Sequence, residues 1–456
     1  MSRISRLGAC AEELAIAATT IAAFCKHHSN SGLPGDSIPP DAPQKVLQAK
    51  QSVITNSQKL EVLLAEPADF IQRLARENQL LACLQWLGEF QVLACIPIVD
   101  SVHYSDVADL ACVPVDQLRR IARMTITAGF LQEPKPGYVA HSGLSAPFVK
   151  QPVLLDAAMF LSETLAPSAL HMSLATKRHG RTHQTDQCAF NTAFNTKASF
   201  ADSLGRRPRL QRQWPSFSRY AIADDEAGVE DVMTRLDWLS LGEATVVDVC
   251  AKTASLATAL TSKYPSLRFV VQSEEQCQNH TWSRSLSATK LHNGLSTPPE
   301  SDTGPAARAA KASERLELQQ RALGSPQNVT NAAVYILRLG TASPFTSWHK
   351  LRAQATAELS AHADILRKEH GSRLILVTRT LPKPGEVETT VEAMARFRDL
   401  TLMQLANVRE LETSEVVELL NSVHIEGGCL VLTNELRTRN SGMIAFEATY
   451  QPQLLG

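Results

Sequence analysis

The sequence predicts an α/β protein: a helical and winged-helix N-terminal region followed by a C-terminal Rossmann-like, doubly wound domain with the fold of S-adenosylmethionine-dependent methyltransferases, in degenerate form. Three observations carry this expectation. Short β-branched runs, ATVVDV (244–249), SLRFVVQ (266–272), AAVYILRL (332–339) and SRLILVTR (372–379), are separated by helical stretches, as in a parallel sheet with crossover helices. Upstream, residues 96–149 read as two short helices and two short strands punctuated by Gly129 and Gly137, the order of a helix-turn-helix with a β-wing. Finally, 456 residues with 44% apolar and 20% charged side chains leave room for two or three domains with a sizeable core.

Charge and cysteine usage narrow the functional classes. Lys plus Arg number 45 against 46 Asp plus Glu, a formal charge of -1, so no bulk basic surface advertises nucleic-acid capture. The nine cysteines are scattered singly, without the close pairs of a zinc site or a disulfide framework, which points to a reduced compartment and to no metal. No run of 18 uninterrupted apolar residues occurs, so neither secretion nor membrane spanning is expected.

Taken in chain order, residues 8–26 form one amphipathic helix, and HHSNSGLPGDSIPPDAP is a Pro/Gly/Ser-rich break. Helices over 44–64 and 67–92 follow, with Leu74, Leu80, Leu81, Leu84 and Leu87 recurring near the helical period, either as packing or as a homodimer surface. In the winged region Ser105 is the expected N-cap of a short helix, and a second helix runs from Gln117 to about Thr127. Arg119, Arg120 and Arg123 on that second helix read as phosphate contacts or, given Asp106, Asp109, Asp116 and Glu133 nearby, as a solvated face. Residues 151–240 form a helical connection with Met159, Phe160, Leu161 and Leu165 on one apolar face. In it, the run GRRPRLQRQWP, with Arg206, Arg207, Arg209 and Arg212 beside Trp214, is expected as a solvated turn, with an acidic-partner or nucleic-acid patch as the other reading. The expected organisation is therefore 1–75, 76–150, 151–240 and 241–456, with a polar insertion near 291–314 in the last.

In an open parallel sheet a ligand sits beyond the carboxyl ends of the strands, so the turn after Val249 is the first place to look. It reads Cys250-Ala251-Lys252-Thr253-Ala254. Glycine lets a cofactor approach where a Cβ would collide, and none is present.

At this point the order of domains over residues 76–440 resembles fungal and plant small-molecule O-methyltransferases. VVDVCAKTA (246–254) is similar to that family's VVDVGGGxG loop but lacks its glycines. YPSLRFVVQSEE (264–275) resembles the segment that carries a ribose-binding acid; Ser273 stands there, with Glu274 and Glu275 next to it. Ala322 falls at a second cofactor-contacting Asp, and Ala342, in VYILRLGTASPF, falls at the catalytic His. An alanine methyl cannot accept a phenolic proton, and a positioned base contributes about 10²–10⁴ in rate. His349 is the nearest downstream imidazole, Asp248 reads as a strand-end structural acid, and Glu415 stands where the family has a carboxylate that orients the base.

With these losses, the length and domain order resemble the methyltransferase-like transcriptional coactivators of fungal aromatic polyketide gene clusters, which include the aflatoxin-pathway coactivator. That resemblance implies a non-catalytic nuclear protein, with the cytoplasm as a second location, and no cofactor. It also implies partnership with a cluster-specific Zn2Cys6 activator that contacts DNA on its behalf, and a homo-oligomer as a further option. The alternative is an O-methyltransferase for an aromatic polyketide with an atypical base; direct DNA binding by the winged region is a third.

Overall fold

The computed structural model describes residues 3–28, 38–39, 42–222, 226–251, 253–273, 315–346, 348–369, 371–425, 427–438 and 441–452. The 291–314 insertion, Lys252, Glu274 and Glu275 lie outside them. The chain divides into two compact units, Met1–Leu170 with Asp202–Ile222, and His171–Ala201 with Ala223–Gly456. The stretch 151–240 is thus shared between the two.

The first unit starts with α1 (Arg3–His28) packed on α2 (Gln44–Leu64), buried at Ala17, Val46 and Ala49 and tied by Asn56 Nδ2 donating to Glu13 Oε2 at 3.1 Å. By length and composition alone, Arg3–His27 and Pro152–Leu170 are apolar enough to cross a membrane, a property the sequence reading had not assigned. α3 (Pro67–Glu89) opens on a reciprocal cap between Glu66 and Asp69, with Pro67 at the first position where its missing N–H costs nothing. It ends before 92 because Gln91 turns left-handed (φ 51°) into a 3-10 turn, Val92–Cys95.

Next come β1 (Val102–His103), α4 (Tyr104–Ala111), α5 (Val115–Ile126), β2 (Leu131–Gln132) and β3 (Tyr138–His141), with the strands in the antiparallel order β1-β3-β2. Ser105 is not the cap of α4. It sits inside the first turn, and the His103 imidazole is the cap, accepting from the Ser105 N–H at 3.3 Å. The core beneath is Leu87, Tyr104, Val107, Leu118, Ala122, Phe130 and Val139. Glu133, in the β2–β3 turn, holds Arg123 through two hydrogen bonds of 2.8 and 2.9 Å and accepts from Gly137 N at 3.1 Å, so the hairpin is fastened to α5. That bond to Arg123 holds the Glu133 carboxyl down at about 2.

The remaining helices before the large sheet are α6 (Ala146–Lys150), α7 (Pro152–Phe160), α8 (Ala166–Leu170), α9 (Met172–His179), α10 (Ala189–Phe194), α11 (Phe200–Arg206), α12 (Pro208–Ala221) and α13 (Glu226–Met233). A five-residue π-turn, Leu161–Leu165, links α7 and α8. The basic run expected as a solvated turn is instead mostly α12, which Pro208 can begin. Its Trp214 is buried 5.4 Å from Phe160, and Phe217 lies 4.7 Å from the same ring. Arg209 bonds Glu89 and Glu163 at 2.8 and 2.5 Å, and Arg212 bonds Asp156 at 2.9 Å, while Arg206 and Arg207 are exposed.

The second unit is built on β4 (Thr245–Val249), α14 (Ser255–Lys263), β5 (Arg268–Ser273), β6 (Leu316–Gln320), β7 (Val334–Arg338), α15 (Trp348–Lys368), β8 (Arg373–Arg379), α16 (Thr389–Ala406), α17 (Thr413–Asn421), β9 (His424–Ile425), β10 (Gly428–Arg437) and β11 (Met443–Pro452). The eight strands lie in the order β6-β5-β4-β7-β8-β11-β10-β9, parallel from β6 to β8 and antiparallel beyond. Alternating side chains bury both faces, as parallel strands require. Val247, Tyr335, Leu337 and Leu376 face Leu359 and Leu366 of α15 and Val416 and Leu420 of α17. Val246, Phe269, Ile336 and Ile375 face Val232 and Met233 of α13 and Leu256 and Leu260 of α14. The chain leaves β4 in one direction and returns to add β7 on its other side, so the sheet's switch point, where a crevice opens, is between β4 and β7.

Leu376 is 0% exposed in that core and Leu239 is 76% exposed. Leu376→Ala is expected to cost about 2–5 kcal/mol of unfolding free energy and Leu239→Ala less than about 0.5 kcal/mol, read from urea midpoints at constant slope.

Candidate functional site

At the switch point, Asp248 near the end of β4 is fully buried and must find a counter-charge. It finds Arg338 at the end of β7, whose Nε donates to Oδ1 at 3.0 Å and whose Nη2 donates to Oδ2 at 2.8 Å. The parallel register that places Asp248 beside Ile336 and Val249 beside Leu337 brings the two side chains together. Asp248 is therefore structural, as its place at a strand end suggested.

Past Val249, Cys250 takes the left-handed conformation (φ 56°) that glycine favours, at a cost of roughly 1–2 kcal/mol for a residue with a Cβ. The turn has kept a glycine-like path and filled the space above it with sulfur. Cys250 and Arg338 line a cavity of about 250 Å³ with Leu337, Leu339, Leu351 and Glu358.

The positions that the resemblance assigns to cofactor contacts and to the base have different surroundings. Ser273 ends β5, 7% exposed, and its carbonyl accepts from Arg321 N at 3.0 Å. Ala322 is exposed in a turn, its carbonyl accepting from Ser325 N at 3.2 Å. Ala342 is 3% exposed in an apolar cluster with Leu351, Leu402, Ala406 and Val408, so the place of the base is walled by hydrocarbon. His349 is exposed on the first turn of α15. Glu415 belongs to the cap of α17: it accepts from Glu412 N at 3.0 Å and from Arg409 at 2.7 and 2.5 Å. Glu415 is thus occupied by the cap of its own helix and by Arg409.

One titratable group was missed altogether. His362 of α15 is 0% exposed, lies edge-on to Tyr335 at 5.4 Å, and donates from Nδ1 to the Glu358 carbonyl at 2.8 Å. Its Nε2 accepts from Gln327 Nε2 at 3.0 Å, and Gln327 is held in reciprocal 2.8 Å bonds with Gln272. Glu358, one helical turn earlier, is buried against Arg321 and accepts from Gly324 N at 2.5 Å. The i, i+4 spacing of Glu358 and His362 was the available signal. Burial lowers the His362 pKa and keeps the ring neutral.

The described residues of the crevice do not fit S-adenosylmethionine. The loop carries a Cβ where close approach is needed, Ser273 and Ala322 offer no carboxylate, and Asp248 and Glu358 are each bound to an arginine. Fold and site together define a methyltransferase-like scaffold.

The comparisons with known proteins agree. Residues 4–65 match the trypacidin cluster transcriptional coactivator tpcD N-terminal domain. The chain is 42% identical over 474 residues to the monodictyphenone cluster transcriptional coactivator mdpA of Emericella nidulans, covering 99% of each. It is 39% identical to the aflatoxin cluster transcriptional coactivator aflS of Aspergillus flavus, with 98% of each covered. Among solved structures it resembles OxaC (TM-score 0.57, 16% identity, 99% of this chain and 100% of that one). It also resembles the riboflavin-derivative dimethyltransferase RosA of Streptomyces davawensis (TM-score 0.58, 14% identity, 85% and 100%). At such identities these likenesses establish the fold alone. The chain belongs to the fungal secondary-metabolite-cluster transcriptional coactivators.

Breaking the buried pair from one side, with Arg338→Met or Asp248→Leu, is expected to cost about 3–5 kcal/mol, and the double variant much less, because no charge is then stranded. Urea unfolding of the three variants measures this. The depressed His362 pKa gives stability that is complete above the unfolded value, about 6.5, and declines as pH falls below it, since only the unfolded chain then takes up the proton. In His362→Gln that part of the acid slope should disappear.

Proposed function

We propose that this protein promotes transcription of an aromatic polyketide gene cluster by binding the cluster's own Zn2Cys6 DNA-binding activator in the nucleus, leaving DNA contact to that partner. The observation that carries the proposal is family membership over almost the whole chain, 99% of it in the case of mdpA. One feature of the molecule supports it. Arg119 and Arg123 of α5 are answered by Asp116 and Glu133 at 3.1 and 2.8 Å, which weakens this helix as a phosphate-binding element.

The contact surface on this reading is the N-terminal helical region, where the family has a domain of its own. Ile16 is 63% exposed on α1, Val62 is 66% exposed on α2 and Ile71 is 63% exposed on α3, a density of bare apolar side chains that suits an interface.

Full-length chain carrying Ile16→Asp with Ile71→Asp should lose co-purification with the activator by at least about tenfold, while His349→Ala, on an exposed helix start, should retain it. Asp248 is unsuitable as a silent control because its loss strands Arg338. In the fungus, deletion should lower transcripts across the neighbouring biosynthetic genes together, and a fluorescent fusion should collect in the nucleus. Normal transcripts with build-up of one unmethylated intermediate would overturn the proposal.

A further inference from the structure

The first unit contains a larger cavity than the crevice at the sheet, about 720 Å³, within the range of roughly 300–1,000 Å³ that holds drug-sized ligands. Its walls are the end of α3, the 3-10 turn after it, α6, α7 and α12. The floor is apolar, made by Leu93, Phe148, Leu155 and Met159. Polar groups stand at intervals around it. Gln213, 2% exposed, commits one N–H to Glu163 Oε2 at 2.9 Å, and an amide has a second N–H and an oxygen besides. Arg209 bonds Glu89 at 2.8 Å, joining two walls of the cavity.

Gln91 stands at the exposed rim of the cavity, just past the end of α3, in the left-handed conformation that Cys112, Asn195 and Asn407 also hold where α4, α10 and α16 end. Its backbone is a helix stop, and what it offers the cavity is its side-chain amide.

Charge selects the ligand. Arg209 and Arg212 are both matched by carboxylates, those of Glu89, Glu163 and Asp156, so no cation is left to take an anion. We infer that this cavity is a binding site for a neutral, flat, multi-ring phenol, its rings on the apolar floor and its hydroxyl or carbonyl groups on the amides of Gln91 and Gln213. The choice of a phenol rests on the proposed role in aromatic polyketide clusters; the cavity and its neutrality do not.

The test is isothermal titration of 2,4-dihydroxybenzophenone into the purified full-length chain without activator or DNA, so its outcome is separate from that of the coactivator reading. The expected result is saturable one-to-one binding, weakened at least about tenfold by Leu155→Trp, which fills the floor. Since Leu155→Trp alters a packed wall, its fold is checked by circular dichroism, and Gln91→Gly serves as the second variant. Gln91→Gly should raise the thermal midpoint by relieving the backbone while weakening binding roughly threefold, the equivalent of one hydrogen bond. Absence of saturable binding, or binding unchanged in both variants, would each overturn the assignment.

Discussion

The ion pair between Asp248 and Arg338 is the constraint around which the second unit is arranged. A carboxylate with no exposed surface is intolerable alone, and it is answered from β7, the strand laid down on the far side of β4 after the chain has crossed the sheet. Arg338 does so only if β7 lies parallel to β4 in its observed register, so the pair couples a long-range crossover to one residue spacing. The buried Arg321–Glu358 pair has the same logic one layer out, clamping the turn after β6 to α15. These pairs add specificity of register more than net stability, since well-packed apolar residues of similar volume would serve the core as well.

The other polar groups of the crevice follow the same inward turn. In an enzyme, side chains beyond the carboxyl ends of parallel strands reach toward a ligand. Here Gln272 and Gln327 bond each other, His362 completes their set, and Ala342 packs in an apolar cluster of its own. What survives is the architecture, and the surface becomes the part of the molecule on which selection for partnership can act.

Much of this was legible in the sequence. The four β-branched runs became β4, β5, β7 and β8 because fully buried parallel strands leave an unbroken apolar signature, and RLELQQ returned as the edge strand β6. The hairpin β10–β11 was not foreseen. Its first strand carries Thr433, Asn434 and Glu435 with one side to solvent, a composition that reads as loop. The vacated catalytic positions could be read off by residue type, yet their fate could not: that Ala342 is sealed in hydrocarbon, or that Glu415 caps a helix, depends on neighbours distant in the chain. Likewise the arginines of α12 looked solvated because their carboxylate partners lie 46 to 120 residues away.

The apolar cluster at Ala342 also ties separate elements together. An imidazole there would force a bulkier, polar ring among Leu351, Leu402 and Val408, with the strain of overpacking, roughly 1–3 kcal/mol, added to the desolvation cost. Because those side chains come from α15, α16 and the turn after α16, while Ala342 follows β7, one such ring would unsettle the seating of two helices on the sheet at once.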